Sequence, residues 1–270
     1  MLDMLKAALF GIVEGITEWL PISSTGHMIL LKEFVSLDMP PGFWEMFLVV
    51  IQLGAIMAVV ILYFDRLWPF ADGLKLKEGA LSLWGKIVLA CIPAAVVGLS
   101  FDDWIDRHLY NAQTVAVMLI LFGTAFIGVE NRNRNQNPSA VSVAQISCRQ
   151  AFWIGMFQLV AAVLPGTSRS GATILGGIAL GLSRPAATEF TFFLAVPVMF
   201  GASLLKVAKH GLSMGGHKLA VLGCGMLVSF IVSILAIKFL MAYIKKHDFK
   251  VFGWYRIVLG VAVLLYFQAP

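Results

Sequence analysis

Two acidic residues four positions apart, Glu14 and Glu18, precede a run of side chains able to handle phosphorus: Ser23, Ser24, Thr25 and His27. A spacing of four places both carboxylates on one face of a helix. Buried together they repel, so either one is protonated or a cation sits near both. Hydroxyls and free backbone N–H groups where a new helix begins bind anions, helped by the helix dipole. N-capping by a single Ser or Thr is the plain structural use of such residues. Capping accounts for one hydroxyl; it does not account for the set of Ser23, Ser24 and Thr25 with a His and two Glu within fourteen residues.

A second cluster, Ser168, Arg169, Ser170 and Thr173, stands in an equally apolar stretch. An Arg in such surroundings needs an anionic partner, and its planar fork suits a phosphate or a carboxylate. Arg169 can pair internally with Glu14 or Glu18 when the site is empty and take a phosphate when it is filled. Arg256, about six residues inside the last apolar run, is a second candidate phosphate contact; snorkelling to the headgroups is the alternative. Taken together these residues could bind a phosphate and hydrolyse it. Ser24 or His27 could attack phosphorus, Glu18 or His27 could move the proton, and Arg169 could stabilise charge on the phosphoryl oxygens. Glu14 could orient the others or, with Glu18, hold a divalent cation such as Mg or Ca.

The elements that must position these residues lie in lipid. Of 270 residues 59% are hydrophobic and 13% charged, and the mean hydropathy is +0.86. So few charges cannot coat a soluble globule, which is about a quarter charged. The sequence predicts an all-α, polytopic membrane protein. Six runs are long enough to cross a hydrocarbon core of about 30 Å: roughly 43–64, 81–101, 113–129, 187–208, 218–243 and 251–268. Two-residue alternation is absent, which disfavours a β-barrel. The run 4–20, with Glu14 and Glu18 in it, does not read as a signal peptide. Cys91, Cys148 and Cys224 are too scattered for a zinc site or disulfide frame. A net charge of +5 needs no nucleic-acid partner. His108, His210, His217 and His247 read as solvated loop residues, and Gln52 as either a cavity or a helix-contact residue.

Residues 4–36 and 150–183 differ from the six spans. Each is broken, at 21–27 and 165–171, by Pro followed by a Ser/Thr/Gly tract, and each half is too short to cross. Both read as re-entrant helical hairpins, since irregular backbone at membrane depth survives only inside protein or beside a water-filled cavity. At an offset of 144, Gly11 matches Gly155, Leu20 matches Leu164, Pro21 matches Pro165 and Ser24 matches Ser168; Glu14 falls opposite Gln158 and Glu45 opposite Glu189. The reading is one membrane domain, 1–270, with repeats at about 4–129 and 150–268. If each hairpin returns to the side it entered, six basic residues (Lys6, Lys32, Arg107, Lys206, Lys209 and Lys218) lie on one side. Eleven lie on the other: Arg66, Lys75, Lys77, Lys86, Arg132, Arg134, Arg149, Arg184, Lys245, Lys246 and Lys250. The second side is predicted to be cytoplasmic. Both termini then lie outside and the repeat is inverted, an arrangement that puts sites near the midplane.

At these positions the chain resembles the bacterial undecaprenyl-diphosphate phosphatases, also called bacitracin-resistance proteins. Glu14-Gly-Ile-Thr-Glu18-Trp-Leu-Pro-Ile-Ser-Ser24-Thr-Gly-His27 and Pro165-Gly-Thr-Ser168-Arg169-Ser170-Gly-Ala-Thr173 carry the resemblance. It implies hydrolysis of a C55 polyprenyl diphosphate to the monophosphate, recycling the lipid carrier for peptidoglycan. It further implies bacitracin resistance, an inner-membrane location and a site facing the periplasm. By match to the family motif, Glu14, Glu18, Ser24, His27 and Arg169 are the expected catalytic or substrate-binding residues, supported by Ser23, Thr25, Ser168, Ser170, Thr173 and Arg256. The main rival is a lipid-phosphate transporter or flippase, since inverted repeats with broken helices also build transporters. A Ser24–His27 cluster favours an enzyme, because transport needs no nucleophile. No G-x-x-x-x-G-K-[ST] loop is present, which argues against nucleotide-driven chemistry. The K-x6-R-P element of another lipid-phosphatase superfamily is absent too. A homodimer is compatible with the sequence.

Overall fold

The computed structural model describes residues 1–39, 42–71, 75–210 and 215–268, without the side chains of Leu99, Asp102, Asp103, Asp106, 205–210 and Gln268. The side chains of Lys206, Lys209 and His210, named above, lie outside the described residues. Eleven α-helices are described, together with one 3-10 turn at Val143–Gln145 and two isolated β-bridges, Phe70 with Leu76 and Ala140 with Leu182. Six helices are long and apolar enough to cross a membrane: α3 (Phe43–Leu62), α5 (Ala80–His108), α6 (Ala112–Asn133), α9 (Arg184–His210), α10 (Gly216–Tyr243) and α11 (Lys250–Gln268). They coincide with the six runs expected from hydropathy. A single helical turn, α4 (Phe64–Leu67), follows α3.

The remaining four helices form two broken pairs, α1 (Leu2–Thr17) with α2 (Ser24–Phe34), and α7 (Cys148–Val163) with α8 (Arg169–Ala179). At 1.5 Å per residue, α1 and α7 extend about 24 Å and α2 and α8 about 16 Å, each short of the hydrocarbon core. α1 packs along α10 while α7 packs along α5; α3 packs on α10 while α9 packs on α5. The first arm of each broken pair therefore leans on a long helix from the other half of the chain.

Within lipid, burying apolar surface does little to drive helices together, so packing depends on close approach of backbones. Gly11 and Gly155, matched in the sequence, serve this at equivalent contacts. A Cβ on Gly11 would stand 2.5 Å from the Gly225 carbonyl oxygen of α10, and one on Gly155 would lie too close to the Ala90 carbonyl oxygen of α5. α6 and α11 cross in the same manner at Gly123 and Gly253, each facing the other's carbonyl.

The chain end of α8 is fixed by polar contacts. Gly181 accepts from the Ser139 N–H at 2.8 Å, and Ala140 accepts from the Ser183 N–H at 2.9 Å. Glu130, 1% exposed, takes the Arg184 fork (Nε at 2.9 and 3.1 Å, Nη2 at 2.5 Å) and the Phe249 N–H at 3.0 Å, joining α6, α9 and α11. Glu189 pairs with Arg66. The three cysteines are free. His108 ends α5 and His217 opens α10 rather than lying in loops; both, and His247, are exposed. Gln52 is half-buried on α3.

Candidate active site

Both helix breaks depend on a strained serine. Ser23 (φ 73°, ψ 98°) and Ser168 (φ 69°, ψ 119°) are the non-glycine residues with positive φ among the described residues. Such a backbone costs about 1–3 kcal/mol and persists only where its surroundings hold it. Here a cap holds it: Ser23 Oγ accepts from the Gly26 N–H at 3.3 Å and Ser168 Oγ from the Gly171 N–H at 3.1 Å. Ser23 and Ser168 thus occupy equivalent positions, which corrects the pairing of Ser24 with Ser168. One residue, Ile22, separates Pro21 from its cap, whereas Gly166 and Thr167 separate Pro165 from its cap. A match anchored on the prolines slips by one at this point. The counterpart of Ser24 is Arg169; each is the first residue of its short helix.

Those two residues meet on one carboxylate. Glu18, at the end of α1 and 7% exposed, accepts from Ser24 Oγ through Oε2 at 2.8 Å and from Arg169 Nη2 through Oε1 at 3.0 Å. Arg169 is further held by the Thr191 carbonyl, which accepts from Nη1 at 3.1 Å, and by the Trp19 ring, 5.7 Å from its guanidinium carbon. Its Nε is buried without a hydrogen-bond partner, so the fork retains a spare donor. Of the two internal partners considered for Arg169, Glu18 is the one bonded. Glu14 lies one turn back, 1% exposed, and its Oε1 is likewise buried and unpartnered.

His27 sits on the same face of α2 as Ser24 but reaches elsewhere. Nδ1 lies 2.7 Å from the Ser23 carbonyl oxygen and Nε2 lies 2.7 Å from the Tyr255 hydroxyl. A carbonyl only accepts, so Nδ1 carries the proton; in the neutral ring Nε2 accepts from Tyr255. The two rings lie parallel, 5.6 Å between centroids. The hydroxyl of Ser24 is therefore given to Glu18, not to His27.

The remaining candidates build the frame. Ser170 Oγ donates to the Glu18 carbonyl at 2.9 Å, tying the second break to the first, and lies 3.2 Å from Ser168 Oγ. Thr173 Oγ1 donates to the Arg169 carbonyl at 2.9 Å and accepts from Thr191 Oγ1 at 2.8 Å. Thr25 is half-buried beside Ser24. Arg256 is fully buried, so its side chain does not snorkel. It donates to the carbonyls of Pro21 at 3.2 Å, Gly166 at 3.0 Å and Thr167 at 2.8 Å. One guanidinium thus satisfies carbonyls from both breaks, groups that no helix can pair.

Sequence reasoning missed Tyr255, Trp19 and Thr191. Trp19 lies inside the first motif and Tyr255 adjoins Arg256, but an aromatic beside a charge in an apolar run carries no signature. Thr191 contributes a main-chain carbonyl, invisible to any reading of side chains. The assembled cluster has a hydroxyl bonded to a buried carboxylate, a guanidinium with a spare donor, and two helix N-termini: the parts that phosphoryl transfer requires.

The family model described as "Bacitracin resistance protein BacA" matches residues 7–262. The chain is 60% identical to an undecaprenyl-diphosphatase of Desulfitobacterium hafniense, covering 100% of this chain and 98% of that one. It is 59% identical to undecaprenyl-diphosphatase 1 of Clostridium acetobutylicum over 98% of each. It is 56% identical to an undecaprenyl-diphosphatase of Acetivibrio thermocellus, covering 100% and 99%. Both helix breaks and all the side chains of the cluster fall inside the matched range, and the chain belongs to the bacitracin resistance protein family.

Proposed function

We propose that this protein is a membrane-embedded phosphatase that hydrolyses undecaprenyl diphosphate to undecaprenyl phosphate and phosphate, recycling the lipid carrier and conferring bacitracin resistance. The names of its relatives support the substrate. The observation that carries the chemistry is the Ser24–Glu18–Arg169 bridge.

In this reading the diphosphate lies between the two breaks, and its terminal phosphoryl group takes the Arg169 fork and the N–H groups that open α2 and α8. Ser24 Oγ attacks the terminal phosphorus, Glu18 accepts its proton, and the lipid monophosphate leaves. Water then attacks the phosphoseryl group and frees phosphate, and the proton returns to Ser24. Glu18 can act as base because it already accepts from Ser24 Oγ. Arg169 exchanges a carboxylate for a phosphoryl group, so its charge stays paired throughout. Ser24 is preferred to His27 as nucleophile because its hydroxyl already donates to Glu18, which can take the proton. Arg256, Ser23, Ser168, Ser170 and Thr173 hold the backbone of the breaks.

A divalent cation, magnesium or calcium, belongs to the proposal. The unpartnered, buried Glu14 Oε1 one turn from Glu18 suits such a ligand. Bound there, the cation would neutralise diphosphate charge. Among the described residues no group of three or more His, Cys, Asp or Glu gathers at one point, so diphosphate oxygens and water would complete its shell. The two broken helices are read as re-entrant hairpins of an inverted repeat. The site then faces the periplasm, the protein lies in the inner membrane with both termini outside, and a homodimer is its proposed assembly.

Phosphate release from farnesyl diphosphate by the purified protein tests the activity. Turnover that disappears in Ser24→Ala and Arg169→Ala supports it. Lipid movement across vesicles without phosphate release would replace it with the flippase reading.

A further inference from the structure

The cluster is walled in on most sides: Glu14, Glu18, Ser170, Thr173 and Arg256 are all buried. Tyr255, 45% exposed, is its most exposed member. It stands where α2 and α11 begin to run side by side. At the inner end the Tyr255 hydroxyl bonds His27 Nε2; at the outer end the rings of Phe34 and Tyr266 meet at 5.8 Å. Ile29 and Leu30 on α2, and Leu259 on α11, border the small apolar cluster of Val115, Leu119 and Val263. Val258 and Leu265 of α11 are 68% and 69% exposed.

α2 and α11 are not among the helix pairs whose backbones pack closely. α2 packs on α1 and α6, and α11 on α6. α8 and α6, the pair that corresponds to α2 and α11 when the halves are exchanged, do pack closely. Among the described residues the α2–α11 seam is thus bridged by side-chain tips: one hydrogen bond, two ring contacts and a thin apolar filling. Such contacts separate at modest cost. A lipid diphosphate must bring a charged head to a buried cluster while its long apolar chain stays in the bilayer. A seam that is polar at the cluster and apolar along its length meets both demands.

We propose that the seam between α2 and α11 is the lateral doorway for the lipid substrate, with Tyr255 as its inner latch and Phe34–Tyr266 as its outer one. Tyr255 holds His27 Nε2 while the doorway is closed and leaves it when the doorway opens. The isoprenoid chain then rests against the outward face of α11 at Val258 and Leu265. This rests on the phosphatase reading.

The test has two arms. In a variant with Cys91, Cys148 and Cys224 replaced, Phe34→Cys and Tyr266→Cys are joined by a reducible bifunctional thiol reagent. Phosphate release from a C55 diphosphate is expected to fall about tenfold or more and to recover on reduction, as for a blocked lid. Each single-cysteine variant treated with the same reagent keeps its rate. A protein shown by mass to be joined, yet turning over at the unjoined rate, overturns the proposal. The second arm needs no turnover: a polyprenyl diphosphate with a photoreactive group on its chain is expected to label Val258 and Leu265. Labelling confined to other helices overturns the doorway even if hydrolysis is intact. Labelling at those positions without phosphate release would keep the doorway and reject the phosphatase.

Discussion

Ser24 and Arg169 occupy the same position in the two halves of the chain, each the first helical residue after a positive-φ serine, and they hold opposite oxygens of Glu18 at 2.8 and 3.0 Å. One structural device, a capped break that delivers the next side chain into the protein interior, has been used twice with different chemistry. One copy presents a hydroxyl and the other a guanidinium. A carboxylate between them polarises the first and parks the second.

If Ser24 is the nucleophile, Ser24→Ala should cut phosphate release by about a thousandfold or more. The Ala side chain fits the space of Ser, so thermal stability in detergent should change by no more than a few degrees. Labelling from a terminal-phosphate-labelled diphosphate should appear on Ser24. Acid-labile label on His27 would reverse the assignment.

Arg169 tests whether charge or geometry matters. Arg169→Ala should lose about a hundredfold in rate, the effect of removing an oxyanion contact of about 3 kcal/mol. Arg169→Lys keeps the charge but cannot bond Glu18 and the Thr191 carbonyl with a flat fork. Its rate should fall between the two, and a Lys variant as active as the parent would show that a point charge suffices.

The two clusters were legible in the sequence because charge and hydroxyls at membrane depth have few innocent explanations. So were the six spans, which depend on length and composition alone. What escaped was of two kinds. Main-chain groups such as the Thr191, Pro21 and Thr167 carbonyls have no identity in a sequence, so these partners of Arg169 and Arg256 could not be read. Nor could the register of the breaks, because the prolines align at 144 while the caps align at 145. One added residue after Pro165 makes Ser24 the counterpart of an arginine rather than of a serine.

Arg256 separates a phosphate contact from a frame residue. Its guanidinium donates to three carbonyls of the breaks, and Arg256→Ala leaves them buried and unpaired at about 1–3 kcal/mol each before relaxation. The melting temperature in detergent should drop by about 10 °C, with activity lost in proportion to folded protein. An unchanged melting temperature with only a raised KM would place Arg256 on the phosphate instead.

Chelation examines the acidic pair. Removing divalent ions with EDTA should abolish turnover, and magnesium or calcium should restore it. Glu14→Gln should raise the cation concentration needed for half-maximal rate by about tenfold or more, since one charged ligand is lost. Full activity of the parent protein in excess EDTA would remove the cation from the proposal.

The strained serines predict an order of stability for two small substitutions. Ser23 and Ser168 each combine a positive φ with an N-cap hydrogen bond. Replacement by Ala removes the cap and keeps the strain; replacement by Gly removes the cap but adopts positive φ without penalty. Ser168→Gly should therefore be more stable than Ser168→Ala by about 1 kcal/mol or more, and likewise at Ser23. Glycine should also retain more activity, because the strain aims the next residue, Ser24 or Arg169, at Glu18. Thermal unfolding of the four variants in one detergent measures the order. Alanine variants equal to or better than glycine variants would mean that neither serine holds the backbone described for it, and the equivalence of Ser24 with Arg169 would lose its structural basis.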